Sequence, residues 1–111
     1  MESKQTCVLL LRASSKKAFI RQEEACRAFA NERELEVCEV FREREKLQFK
    51  RRKALRWMST YCRVNKDIDF VVAYKARSIS LNNSELFLIT RLLKKHKVDI
   101  LFVKETPQSK F

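Results

Sequence analysis

The sequence predicts an α/β domain: a three-layer α/β/α sandwich built on a mostly parallel sheet of about four strands. Two observations carry that expectation. Short apolar runs alternate along the chain with segments of helical periodicity, and repeated strand–helix–strand order places helices on both faces of a parallel sheet. The 111 residues are 45% apolar, enough for one core, and neither an internal repeat nor a low-complexity linker divides them. Residues 1–111 are therefore read as a single domain.

The elements follow in order. Residues 6–11 form a continuous apolar run, the pattern of a buried strand. Residues 18–34 form a helix with Gln22, Cys26 and Phe29 on one face, while Glu23, Glu24, Arg27 and Glu32 point elsewhere. Residues 35–41 alternate only in part and read as a strand with one less buried side. Residues 42–50 follow neither period and read as a charged loop. Residues 52–63 form a helix whose inner face is Ala54, Trp57, Met58 and Tyr61, and whose outer face is Arg52, Arg56, Ser59 and Arg63. Residues 70–74 are a third, buried strand. Asn82-Asn83-Ser84 supplies the cap of a helix running to Lys97, with Leu86, Ile89 and Leu93 inward. Lys94, Lys95, His96 and Lys97 fall in its last turn, where cations suit the negative end of the helix dipole. Residues 100–103 are a fourth strand, followed by a polar tail containing Pro107.

Composition removes several chemistries. Glycine is absent, which excludes a Walker A loop, a glycine-rich dinucleotide turn and a GxSxG elbow. No cofactor is expected. Cys7, Cys26, Cys38 and Cys62 form no CxxC pattern and only His96 stands to assist them, so no metal site is expected. Their apolar neighbours read them as small buried hydrophobes in a reducing cytoplasm. Without a signal peptide or an apolar run of transmembrane length, a cytoplasmic protein with no membrane contact is expected.

The charge balance points to a polyanion. Lys and Arg number 25 against 14 Asp and Glu, a net +11, and nucleic acid is the commonest partner of such a surface. Residues 42–66 hold ten Lys and Arg against Glu43 and Glu45, and so +8 of that excess. A block of this kind is either a solvated face or a binding surface.

The first strand ends in Arg12-Ala13-Ser14. In an open α/β sheet, chemistry sits just outside the carboxyl ends of the strands. Arg12 and Ser14 there offer a nucleophile with a fixed cation beside it, and Arg52 and Arg77 lie near element boundaries where they can join the pair. The plainer alternative is that Arg12 and Ser14 close the strand and cap the next helix.

A series of motifs matches one family. Leu11-Arg12-Ala13-Ser14-Ser15 resembles the Y-x-R-V-S-T signature that opens serine recombinases of the resolvase/invertase type. Residues 20–27 look like the family's following S-I-x-x-Q-x-x-x-C helix, and Arg52-Lys53-Ala54-Leu55 is similar to its R-P-x-L helix start. Residues 69–77, from Asp69 to Arg77, resemble its D-V-V-V-x-K-L-D-R strand, and residues 92–103 its L-x-x-x-G-V-x-L-x-F helix–strand unit. The order and spacing agree across most of the chain.

That resemblance implies phosphoryl transfer in DNA through a covalent phosphoserine, with neither metal nor cofactor. Ser14 would attack the scissile phosphodiester and release a 3′-hydroxyl, while Arg12, Arg52 and Arg77 stabilise the developing charge and Gln22 supports the site. Arg51, Lys53, Arg56 and Lys75 are the candidate DNA contacts, and a homodimer or tetramer is the expected full-length form. The chemistry is sound on its own terms: a serine needs activation, and guanidinium forks match phosphorane oxygens bidentately. Ser14 and the heads of the three arginines must then converge on one phosphate-sized site.

The departures are specific. The family's D-R-x-x-R reads Ala76-Arg77-Ser78-Ile79-Ser80, so Ala76 replaces the acid and Ser80 the second arginine. The acidic position after the second strand is best matched by Glu43, and Arg44 to Lys50 replace a glycine-bearing loop. One lost oxyanion-type donor costs ~10²–10³ in rate. Lys75 or Arg51 would replace it only by rearrangement, and lysine is no equivalent at a bidentate site. The family continues into a long dimerisation helix and a DNA-binding domain that residues 1–111 do not include, so weak, salt-sensitive, non-specific DNA contact is expected of them. Three readings stand: an active recombinase catalytic domain, an impaired resolvase-like domain serving as a DNA-transaction or interaction module, and a basic α/β binding domain of other ancestry. Arg12, Ser14, Arg52 and Gln22 favour the first, Ala76 and Ser80 the second; the ordered motifs argue against the third.

Overall fold

β1 (Thr6–Ala13), β2 (Glu36–Arg44), β3 (Phe70–Ala73) and β4 (Asp99–Phe102) form one sheet in the order β2-β1-β3-β4, every neighbouring pair parallel. Four helices accompany them: α1 (Lys16–Glu32), α2 (Lys53–Val64), α3 (Ala76–Ile79) and α4 (Asn83–Lys95). The structure, a computed structural model, describes residues 4–45, 51–80 and 82–104. The expected sandwich is present. Period-two alternation in β1 sends Leu9 and Leu11 to one face, where they pack with Cys26 and Ala30 of α1. Val8 and Leu10 take the other face, with Leu55, Met58 and Cys62 of α2, Ile79 of α3, and Ile89 and Leu93 of α4. β1 is buried along almost its whole length, as a central parallel strand should be.

Helix ends follow local chemistry. Ser15 caps α1, its Oγ accepting from the Ala18 N–H at 3.1 Å. The Asn82 side chain accepts from the N–H groups of Ser84 and Glu85 at 2.8 and 3.2 Å to cap α4. At the far ends, Glu34 and Lys97 adopt the left-handed region, φ 57° and 64°. They stop α1 and α4 short of the 34 and 97 boundaries that periodicity alone suggests.

Five expectations are corrected. β2 continues through Arg44, so residues 42–44 are strand rather than loop; residues 46–50 lie outside the described residues. The strand persists because its backbone pairs with β1 through Arg44, whatever its side chains. Cys38 is exposed, not buried. The β1–β2 register steps from Cys7↔Val37 to Val8↔Glu39, and Cys38 sits unpaired in that bulge, which also breaks the alternation of β2. Trp57 is 64% exposed, its place on the inner face of α2 taken by Leu55. Arg52 is buried rather than outward, and Ala76–Ile79, read as the end of a strand motif, form the short helix α3.

Candidate functional site

β1 is hydrogen-bonded to β3 only as far as Leu10, opposite Ala73, but to β2 as far as Ala13, opposite Arg44. Its last residues therefore have one open side. Gln22 of α1 fills it: Oε1 accepts from the Arg12 backbone N–H at 3.2 Å and Nε2 donates to the Arg12 carbonyl at 2.8 Å. A side-chain amide does for Arg12 what a neighbouring strand would.

The Arg12 side chain leaves β1 on the face of Val8 and Leu10 and is only 9% exposed. Its Nη1 donates to the Arg77 carbonyl at 3.3 Å, while Nε is buried with no hydrogen-bond partner among the described residues. Burial holds its pKa below the ordinary arginine value and the charge of Arg52 acts in the same direction, against the opposing pull of Glu43, Glu45 and Glu85. It remains a cation at neutral pH. A buried donor without an acceptor, at the carboxyl end of a strand, is a place for an anionic oxygen.

Arg52 sits immediately before α2 and is 1% exposed. Its Nε donates to the Glu43 carboxylate, Nη1 to the Ile79 carbonyl, and Nη2 to the Ser78 carbonyl at 3.0 Å. Glu43 also accepts from the backbone N–H of Leu55, in the first turn of α2, at 3.3 Å. A carboxylate from β2 thus caps a helix whose own N-cap residue makes no side-chain cap. The carbonyls of Arg77, Ser78 and Ile79 are successive acceptors for Arg12 and Arg52, which fastens α3 over both guanidinium groups.

Ser14 follows the last residue of β1 and is exposed; its neighbour Ser15 is committed to capping α1. Arg77 is exposed on α3 and meets Arg12 through its carbonyl. Arg12 and Arg52 come together under α3, with Arg77 above them. Ser80, in the place of the second arginine, is buried, donates to Glu85 at 2.7 Å and accepts from the Asn82 N–H at 3.0 Å. It ties α3 to α4 and contributes no charge. Ala76 is half-buried at the start of α3.

The candidate DNA contacts divide. Arg51, Lys53 and Arg56 are exposed and line one open cleft of about 570 Å³, with Arg42, Arg44 and Trp57. Lys75 is exposed at the start of α3, outside that cleft. Arg42 and Arg44 join the basic group because β2 extends to carry them there. Glu85 escaped the sequence reading; the only sign of it was a serine where a cation stands in the family motif. Among the described residues, no cluster of His, Cys, Asp or Glu is arranged to hold a metal, and no helix is long and apolar enough to cross a membrane.

An all-parallel sheet with a serine just past β1 and a buried arginine just before it defines a recombinase-like catalytic domain in architecture. Residues 7–111 match the family described as Resolvase, N terminal domain, and the chain belongs to that family. No curated protein matches it in sequence. Among solved structures it is similar to the C-terminal catalytic domain of ISC1926 TnpA, an IS607-like serine recombinase. That likeness has 21% identity and a TM-score of 0.81, over 95% of this chain and 71% of the other. It is also similar to the N-terminal catalytic domain of TP901-1 integrase, with 19% identity, a TM-score of 0.75, and 88% and 76% of the two chains covered. A resolvase family site-specific recombinase from Streptococcus pneumoniae matches with 17% identity and a TM-score of 0.78, over 90% and 72% of the chains. At such identities the likeness is one of fold.

Proposed function

We propose that this domain cleaves and rejoins DNA through a phosphoserine formed on Ser14. One observation carries the reading: an exposed serine directly follows β1, two residues after Arg12, whose buried Nε has no acceptor among the described residues. In the forward step, Ser14 Oγ bonds to phosphorus, the bond to the 3′ oxygen breaks, and that oxygen leaves as a 3′-hydroxyl after taking up a proton. The phosphate stays esterified to Ser14 and to the 5′ strand. In the reverse step a 3′-hydroxyl attacks the phosphoserine and restores Ser14. Arg12 is preorganised by Gln22 to meet the phosphate oxygens, and a fixed donor of this kind needs no reorganisation as charge develops. Arg77 supplies a second, exposed cation from α3. Arg52 positions α3 through the carbonyls of Ser78 and Ile79. Arg51, Lys53 and Arg56, with Lys75 nearer the site, meet the DNA backbone, and full-length protein works as a homo-oligomer in the cytoplasm.

A second reading has its own support. Every nitrogen of Arg52 already has an acceptor, and Ser80 pairs with Glu85 where a cation would stand. Both features favour an impaired domain that still engages DNA or a protein. One experiment separates the two. The protein is incubated with supercoiled DNA and quenched with denaturant, and covalent protein–DNA adducts are counted. The first reading expects an adduct that vanishes in Ser14→Ala. No adduct from full-length protein selects the second reading, and an adduct that persists in Ser14→Ala moves the nucleophile, Ser15 being the nearest rival.

A further inference from the structure

The cleft of about 570 Å³ between β2 and the start of α2 holds one group that phosphate contacts do not use. Trp57, the only tryptophan of the chain, lines it and is 64% exposed. β2 contributes Arg42 and Arg44 to the same cleft, the chain entering α2 contributes Arg51, and α2 itself Lys53 and Arg56. We propose that this cleft binds an unpaired nucleotide of single-stranded DNA, with the Trp57 indole stacked on its base and the cations on its phosphates.

Charge selects a polyanion. Arg42 is paired with Glu23, but Arg44, Arg51, Lys53 and Arg56 have no acidic partner among the described residues. Glu43, the one acid that lines the cleft, is buried and its charge is met by Arg52. Cations crowded in this way attract phosphate.

The indole selects a base. Leu55 and Met58 already fill the core beneath α2, so the fold does not call for a tryptophan on its outer side. Elsewhere cations lie over aromatic rings: Arg33 over Phe29, Arg91 over Phe87, Lys104 over Tyr74. Tryptophan is the ring that cations favour most, yet among the described residues none is seated on Trp57. A base stacks on such a ring only when its own face is free. A duplex satisfies the cations but keeps its base faces inside, leaving the indole in water. An unpaired nucleotide satisfies both sets of groups at once. Lys53 and Trp57, at i and i+4 of α2, hold their Cβ atoms about 5–6 Å apart, so one nucleotide reaches from ammonium to indole. Stacking of this kind tolerates any base. The inference rests on the reading of this cleft as a DNA contact, and not on cleavage by Ser14.

Because Trp57 is the sole tryptophan, its fluorescence reports the cleft directly. The full chain, with Ser14→Ala to remove the proposed nucleophile, is titrated with three probes of about 12 nucleotides: a mixed-sequence single strand, its blunt duplex, and an abasic strand. The single strand should quench the indole at saturation, while the duplex and the abasic strand bind and leave it bright. By anisotropy of labelled probes, the single strand should bind about fivefold or more tighter than the abasic strand. Trp57→Ala, at an exposed position where circular dichroism confirms an intact fold, should remove that advantage and leave duplex affinity unchanged. Trp57→Phe should keep most of it. Equal quenching by the duplex, equal affinity for the abasic and base-bearing strands, or no loss in Trp57→Ala overturns the proposal. If stacking fails in this way but joint replacement of Arg51, Lys53 and Arg56 by Ala still weakens the duplex, the cleft remains a phosphate contact. If that triple variant binds every probe as the parent does, the reading of the cleft as a DNA contact falls with the proposal.

Discussion

Glu43 and Arg52 show how charge is kept inside this protein. Both are closed to solvent, and each is satisfied by the other and by backbone groups of α2 and α3. Breaking such a pair from one side leaves an uncompensated buried charge. Glu43→Ala and Arg52→Ala should each cost about 3–5 kcal/mol in urea unfolding followed by circular dichroism, whereas the joint replacement Glu43→Leu, Arg52→Met should cost much less than the sum. Additive losses would show that the two side chains act separately. The thiols give a second test. Burial pushes Cys7 and Cys62 up to about 11 and Cys26 to about 12, and only Cys38 is exposed. The folded protein should therefore offer one rapidly labelled thiol to a maleimide at pH 7, abolished by Cys38→Ser. The position of Arg12 and Ser14 at the carboxyl end of β1 was legible because an apolar run ends on them. Arg52 was misread because helical spacing placed it on the outer face, yet its φ of −86° and ψ of 84° put it outside the helix, where that spacing has no force. Trp57 was misread because helical spacing from Ala54 placed it inward: Leu55, on the other side of Ala54 and Met58, packs over β1 and leaves the indole outside.

The helices were legible as elements and their ends were not. Apolar spacing runs on past α1 and α4, but a helix stops where the backbone turns left-handed. Glu34 and Lys97 do so in a chain with no glycine to take that position. Both ends are closed by reverse hydrogen bonds, Leu35 N–H to the Ala30 carbonyl at 2.8 Å and Val98 N–H to the Leu93 carbonyl at 3.0 Å, with Leu35 and Val98 buried behind them. A side chain at a left-handed position costs about 1 kcal/mol that glycine does not incur. Glu34→Gly and Lys97→Gly should thus each raise the melting temperature by about 3–5 °C, against the usual effect of adding glycine. A fall in either variant would mean that the end is not left-handed in solution. β2 was only half legible for a related reason: an extra residue at Cys38 shifts the alternation in mid-strand, and sequence pattern cannot show a bulge that depends on the partner strand.

The whole molecule carries its charge unevenly, and this has a measurable consequence. Arg51, Lys53 and Arg56 share one cleft with Arg42 and Arg44, close to the Glu43–Arg52 pair that anchors α3. Cations on such a surface bind a duplex by displacing the counterions condensed on its phosphates, a free energy that depends on salt and not on base sequence. Each phosphate neutralised contributes about 0.9 to the slope of log affinity against log salt. Replacing Arg51, Lys53 and Arg56 together by Ala should then lower that slope by about 2–3, and weaken binding equally on duplexes of unrelated sequence. Lys75→Ala should lower it by about 1, since that side chain lies outside the cleft and acts alone. Filter binding of a short duplex from 50 to 300 mM salt gives both numbers. A slope unchanged in the triple variant would remove this cleft from the DNA path. A loss confined to one duplex sequence would mean that these side chains read bases instead of phosphates.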